Sequence, residues 1–294
     1  MRALMQRRQW MLAAASAALA APAPRSGAQT SPRRIVSVGG ALTETLYALG
    51  AQGDLAGVDT TSLYPEAARA LPSVGYARNL SAEGVLSLKP TLVVATEDAG
   101  PPAVLRQLEA ARVPLVVLDG DHRIEGVLAR TGKLAELSGR ADAGQTLLAR
   151  LKQEWQASST RVAALSGPGG RAPRVLFVLS HNIGQVRVAG RDTSADAMIR
   201  YAGGANTFGS PGDFSGYKPL TPEAAIAAAP DVILGTTQGL DAAGGSDGLL
   251  KLPGLAQTPA GRARRVVAHE ALLLLGFGPR LPQAVAALAE SLHA

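Results

Sequence analysis

The chain repeats itself. LSAEGVLSLKPTLVVAT, residues 80–96, aligns without a gap on LTPEAAIAAAPDVILGT, residues 220–236, with Leu, Glu, Pro and Thr identical and Ser81 facing Thr221. Each copy reads as a hydroxyl N-cap, a short helix with Glu in its first turn, a proline stop and an apolar β-branched strand. A strand that is apolar along its length must be covered on both faces, as in a parallel sheet, and a single unit cannot do this alone. Two copies so far apart therefore predict two α/β lobes built on one plan.

The intervening sequence agrees. RIVSVGG from Arg34, TETLYALG from Thr43 and DLAGVD ending at Asp59 alternate strand and helix patterns, as do TLVVAT, PAVLRQLEAAR and PLVVLD between residues 91 and 119. The alternation predicts parallel sheets. It breaks at residues 141–165, a long helical stretch without proline, which ends at the breaker cluster SGPGGRAP. Strand patterns resume at Arg174, Val186, Asp231 and Arg265, and a helical pattern closes the chain at residues 282–293. The expected organisation is an export signal over residues 1–28, an N-terminal lobe over 29–140, a linking helix over 141–166 and a C-terminal lobe over 167–294.

The export signal is read from MRALMQRRQW, the apolar MLAAASAALAA and the small residues that follow. Its apolar run is well short of the roughly 20 residues that span a bilayer. Arg7-Arg8 permits a twin-arginine route, and an ordinary secretory route remains equally open. Residues 1–28 hold Arg2, Arg7, Arg8 and Arg25 and no acid, so their removal takes the formal charge from +6 to +2. With no basic run interleaved with aromatics left, nucleic acid is not an expected partner. Zero cysteines exclude disulfides and thiol chemistry, so stability rests on a core drawn from 47% hydrophobic residues.

Catalytic motifs are missing: no G-x-S-x-G, no phosphate loop and no complete G-x-G-x-x-G occurs, and VGGALTE (38–44) reads as backbone geometry at a strand-to-helix turn. His122, His181, His269 and His293 lack metal-ligand spacing. His181 follows a strand, where α/β sheets present ligand-facing loops. Glu83 and Glu223 each suit a helix's first turn on dipole grounds. Because they are equivalent in the repeat, they also offer two matched carboxylates to a symmetric basic partner.

The export signal, the lobes about one helix, and the strings RIVSVGGALTETLYALG (34–50) and VLSLKPTLVVAT (85–96) resemble periplasmic binding proteins of the cobalamin, siderophore and haem ABC-importer type. DTTSLYP (59–65), VGYARNL (74–80), AGRDTSAD (189–196) and GFGPR (276–280) most resemble the haem-binding branch. The resemblance implies two Rossmann-like lobes with a ligand cleft between them and only small closure. It implies a monomeric periplasmic protein that carries ferric haem to an inner-membrane ABC permease dimer with its ATPase. It also implies docking of Glu83 and Glu223 on permease arginines and axial ligation of haem iron by Tyr64.

A phenolate is a hard anionic oxygen suited to ferric iron. A free phenol ionises near about pH 10, so a cation or the iron itself must favour the anion. Arg78, Lys218 and Arg280 are the candidate cations, Arg280 alternatively pairing with a propionate. Tyr76 and Tyr217 are candidate porphyrin-lining rings, whereas Tyr47 and Tyr201 sit in helical apolar patterns and read as core. Rival readings are a ferric siderophore or cobalamin carrier, which needs no axial tyrosine, and an exported small-molecule or haem-modifying enzyme.

Overall fold

The computed structural model describes residues 32–167, 169–179 and 186–294. The export signal and His181 lie outside the described residues.

The N-terminal half runs β1 (Ile35–Val38), α1 (Gly40–Ala48), β2 (Leu55–Val58), β3 (Gly75–Tyr76), β4 (Asn79–Leu80), α2 (Ala82–Ser87), β5 (Leu92–Thr96), α3 (Pro102–Ala110), β6 (Leu115–Leu118) and α4 (Ile124–Ser138). One long helix, α5 (Ala141–Ser166), follows. The second half begins with β7 (Arg174–Leu179), β8 (Arg187–Ala189), α6 (Ser194–Tyr201), β9 (Ala205–Asn206), β10 (Tyr217–Pro219), α7 (Pro222–Ala228) and β11 (Val232–Thr236). It ends with α8 (Thr237–Ala242), α9 (Gly245–Leu250), α10 (Pro259–Arg262), β12 (Val266–His269), α11 (Ala271–Leu275) and α12 (Leu281–His293).

The first sheet is wholly parallel, in the order β2-β1-β5-β6. In the second, ordered β10-β8-β7-β11-β12, the three strands β7, β11 and β12 are parallel while β8 runs antiparallel to both its neighbours. Side chains alternate between faces, and each sheet supplies two cores. Ile35 and Val94 face one core of the first sheet, while Val36, Val38, Val93 and Ala95 face the other. Val175, Phe177, Val232 and Leu234 face one core of the second, and Leu176, Val178 and Ile233 the other.

The repeat survives at atomic detail. Ser81 Oγ accepts from Gly84 N at 3.2 Å and Thr221 Oγ1 from Ala224 N at 3.2 Å, so both copies start on the same cap. Both leave the helix through a left-handed residue just before the proline, Lys89 at φ 47° and Ala229 at φ 40°. The strands that follow, β5 and β11, lie inside their sheets rather than at an edge.

Helix α5 joins the halves by packing on both. Its first half buries Leu147 and Leu151 in the core beneath β1 and β5, and its second half sets Trp155 and Val162 against the core of β7 and β11. At 26 residues it is about 39 Å long, enough to lie along two cores. Gly139, at φ 68°, ends α4 in a left-handed cap and lets the chain turn back into α5. The helix is thereby fixed to both cores.

Candidate functional site

The loop after β2 is built on a buried acid. Asp59, 1% exposed, accepts from Gly39 N at 2.9 Å and from Ser62 Oγ at 3.0 Å through one oxygen. Its other oxygen accepts from Thr61 N at 3.1 Å and Thr61 Oγ1 at 2.7 Å. Gly40 N donates to Thr61 Oγ1 at 2.9 Å, so the loop is tied to the turn between β1 and α1. The glycine pair makes this possible: Gly39 sits at φ 125°, and a Cβ on Gly40 would strike the Thr61 carbonyl oxygen. Asp-Thr-Thr-Ser is thus a self-capping frame, and Tyr64 leaves it with 43% of its surface exposed. Pro65 is extended (φ −65°, ψ 166°), its peptide with Tyr64 is cis, and a 3-10 turn follows at Glu66–Ala70.

Arg280 meets that phenol from the other lobe. Its guanidinium carbon lies 3.6 Å from the Tyr64 ring centroid, a cation–π contact. Its Nη2 donates to Glu44 Oε2 at 2.8 Å and its backbone N to Glu44 Oε1 at 3.2 Å, with Glu270 at 3.7 Å. Burial alone would lower the Arg280 pKa, but the hydrogen bond to Glu44 and the charges of Glu44, Glu270 and Tyr64 raise it, so it remains a cation. Burial pushes the Glu44 carboxyl above its ordinary value, and the Arg280 contacts offset that only in part. The turn carrying Arg280 is held from the N-terminal half a second time. Buried Arg130 of α4 donates to the Phe277 carbonyl at 3.0 Å and to those of Asp119 and Asp121 at 2.8 and 2.9 Å.

Arg78 and Tyr76 lie on the β3–β4 hairpin. Tyr76 is 46% exposed, and Arg78 pairs with Asp98 at 2.7 Å. Burial would raise Asp98, but the Thr96 hydroxyl at 2.6 Å and Arg78 outweigh it and hold its carboxyl below the ordinary range. Arg78 interacts electrostatically with Tyr76 and, across the lobes, with Tyr217. Burial pushes the Tyr217 phenol up, with Ser194 and Thr193 pulling the other way. Tyr217 packs edge-on to Phe177 at 6.3 Å between centroids.

Adjacent strand residues point to opposite faces, so Tyr217 joins the core of Phe177 and Lys218 points the other way, its Nζ 5.1 Å over Phe214. Tyr47 and Tyr201 are half-buried against the cores, Tyr201 edge-on to Trp155 at 4.8 Å. Glu83 and Glu223 are exposed in the first turns of α2 and α7.

At the β6 edge of the first sheet, a cavity of about 340 Å³ is lined by Glu97, Asp119 and His122 from one half and Asp192 and Arg200 from the other. Burial, with Arg130 nearby, lowers the His122 pKa, and its ring packs on Phe277 at 5.1 Å. Among the described residues no three His, Asp or Glu side chains gather as a metal site. Tyr64 is instead one exposed hard donor with a fixed cation against its ring, suited to a metal whose other ligands arrive with it.

Sequence reasoning missed Glu44, Glu270 and Asp98. Glu44 carried a readable signal, since a lone carboxylate on the apolar pattern of 41–49 requires a buried partner. Glu270 and Asp98 carried none, being ordinary polar residues after strands.

A model of periplasmic binding proteins matches residues 35–271. Among solved structures, the chain is 51% identical to the periplasmic heme-binding protein BhuT in complex with two hemes, with a TM-score of 0.83, over 89% of this chain and 98% of that one. It is 43% identical to the periplasmic heme-binding protein RhuT from Roseiflexus sp. RS-1, with a TM-score of 0.84 over the same 89% and 98%. Among curated proteins, it is 26% identical to an uncharacterized ABC transporter substrate-binding lipoprotein, YvrC, of Bacillus subtilis, over 89% of this chain and 80% of the relative. With the fold, the framed tyrosine and these likenesses together, the chain belongs to the periplasmic binding protein family.

Proposed function

We propose that this chain captures ferric haem between its lobes and hands it to an ABC permease of the inner membrane. The observation that carries the reading is Tyr64, exposed on a rigid frame with the Arg280 guanidinium 3.6 Å from its ring. A tyrosine oxygen is a recognised axial donor to ferric haem iron, and this one is exposed beside a fixed cation. Tyr76 offers exposed aromatic surface for a porphyrin, Tyr217 only the part of its ring that the core leaves open, and Arg78 offers a cation to a propionate at an exposed position. Haem is cargo in this reading, and no bond of it is broken. The relatives named heme-binding proteins support the choice of ligand. In the full scheme, residues 1–28 direct export to the periplasm, and Glu83 and Glu223 dock on the two permease subunits with their ATPase behind them.

The test is titration of the purified apoprotein with hemin, followed in the Soret and charge-transfer regions, beside Tyr64→Phe. The wild type should saturate with a phenolate-type spectrum, and the variant should lose that spectrum and bind at least about tenfold more weakly. An identical spectrum from the variant removes Tyr64 from the site. A second reading, cobalamin, is favoured by a cobalamin-binding protein of Halobacterium salinarum, 26% identical over 90% of this chain and 70% of the relative. Saturable binding of cyanocobalamin with no uptake of hemin selects it.

A further inference from the structure

Glu44 has no part in the haem reading as it stands, yet it is a buried acid bonded directly to Arg280. Its side chain is 5% exposed, on a helix whose residues Gly40 to Leu46 are all buried. A carboxylate in such a place is retained only with a full set of partners. Both its oxygens are used on one residue: Oε2 by the Arg280 guanidinium and Oε1 by the Arg280 backbone N–H. Main chain and side chain of Arg280 are therefore held by the same group, which sets both where the turn lies and how the guanidinium is aimed. The alternative anchor is poorer. Glu270 stands at 3.7 Å, is 35% exposed, and already accepts from Leu272 N and Leu273 N as the cap of α11. Among the described residues the buried Arg280 Nε has no acceptor, so no second hydrogen-bonded partner fixes the fork.

We infer that Glu44 is a positioning residue for haem ligation: by gripping Arg280 across the lobes, it holds the guanidinium against the Tyr64 ring. It touches neither iron nor porphyrin and acts through Arg280, and the inference rests on the haem reading for its functional consequence. The arrangement makes the cation conditional on the lobes being together. Glu44 and Tyr64 belong to one half and Arg280 to the other, so separating the halves withdraws the guanidinium from both at once. The charged and titratable groups at this junction are Glu44, Glu270, Arg280 and Tyr64, and their signs settle what a variant must do. If Glu44 acted only by its own negative charge, its removal would leave more positive charge beside Tyr64 and tighten haem. If it acts by position, its removal frees Arg280 toward Glu270 and weakens haem.

The test has two arms, one of them independent of haem. In the ¹⁵N-labelled apoprotein, the Arg280 Nε–Hε signal, assigned by its loss in Arg280→Lys, should lie upfield from the ring current of Tyr64 and lose that shift in Tyr64→Ala. Glu44→Ala and the milder Glu44→Gln should lose it too, while amide spectra show both variants folded. An Arg280 signal still upfield in both variants overturns the inference, whatever the ligand is. In the second arm, Glu44→Ala should weaken hemin binding about tenfold in the wild-type background and have no further effect in Arg280→Ala. Tighter binding, or an equal loss in both backgrounds, also overturns it. Failure of the wild type to take up hemin would instead refute the haem reading and leave the signal arm to decide the positioning.

Discussion

Glu44 and Arg280, 236 residues apart in the chain, meet at 2.8 Å in a junction where the carboxylate is 5% exposed and the guanidinium 19%. A buried pair of this kind adds little against a well-packed apolar substitute, but breaking it from one side strands a charge. Arg280→Ala should therefore cost about 3–5 kcal/mol in unfolding free energy, read from urea denaturation, and weaken hemin binding about tenfold. Arg280→Lys should recover part of the stability and less of the binding, because one ammonium cannot both bond Glu44 and cover the ring. Equal binding by the alanine variant and the wild type would contradict the assignment of Arg280 as the cation at Tyr64.

Arg78 is expected to behave in the opposite way. Its pair with Asp98 is open to solvent, at 63% and 44% exposure, so Arg78→Ala should change stability by less than about 1 kcal/mol. Asp98 contributes stability above its unfolded-state value and loses it as pH falls through its depressed folded-state value, so the variant should depend less on pH in the acid range. If Arg78 meets a propionate, hemin affinity should fall several-fold and the loss should shrink in high salt, measured by fluorescence quenching.

Glu83 and Glu223 stand on helices with the same kind of hydroxyl cap and a left-handed residue before the proline at the exit, and both are exposed. Glu83→Ala with Glu223→Ala should leave the melting temperature and hemin affinity unchanged and reduce haem transfer to a reconstituted permease by about tenfold or more. Unimpaired transfer would show that the matched carboxylates serve only their helix dipoles.

Burial holds His122 and His269 below the ordinary histidine range. The unfolded chain then binds protons more readily than the fold as pH drops below about 6.5, so stability is complete above that value and is lost through the folded-state values. Thermal denaturation at about pH 7.5 and pH 5.5 should show the loss, and His122→Asn with His269→Asn should reduce its size by a few degrees. A pH dependence unchanged in that variant would place the proton uptake elsewhere.

Much of this architecture is legible in the sequence because it depends on neighbours in the chain. Strand and helix periodicity, the hydroxyl caps at Ser81 and Thr221, the proline stops and the uninterrupted helix at Ala141–Ser166 follow from contacts between residues a few positions apart. The repeat adds the one long-range fact that sequence alone carries, that the two halves share a plan. Tertiary structure decided the rest of the site. Asp59 is an ordinary strand-end acid until the turn at Gly39 and Gly40 folds against it and makes it the frame of Tyr64. Lys218 and Tyr217 are neighbours in the chain, but strand alternation sets Lys218 over Phe214 while Tyr217 packs on the core of Phe177. Arg280 reaches Tyr64 because α1, the turn before α12 and the loop after β2 converge where two sheets present their strand ends. Burial makes that convergence obligatory: Glu44 cannot stay charged in the core without the guanidinium, and no local pattern in the chain records which distant residue will supply it.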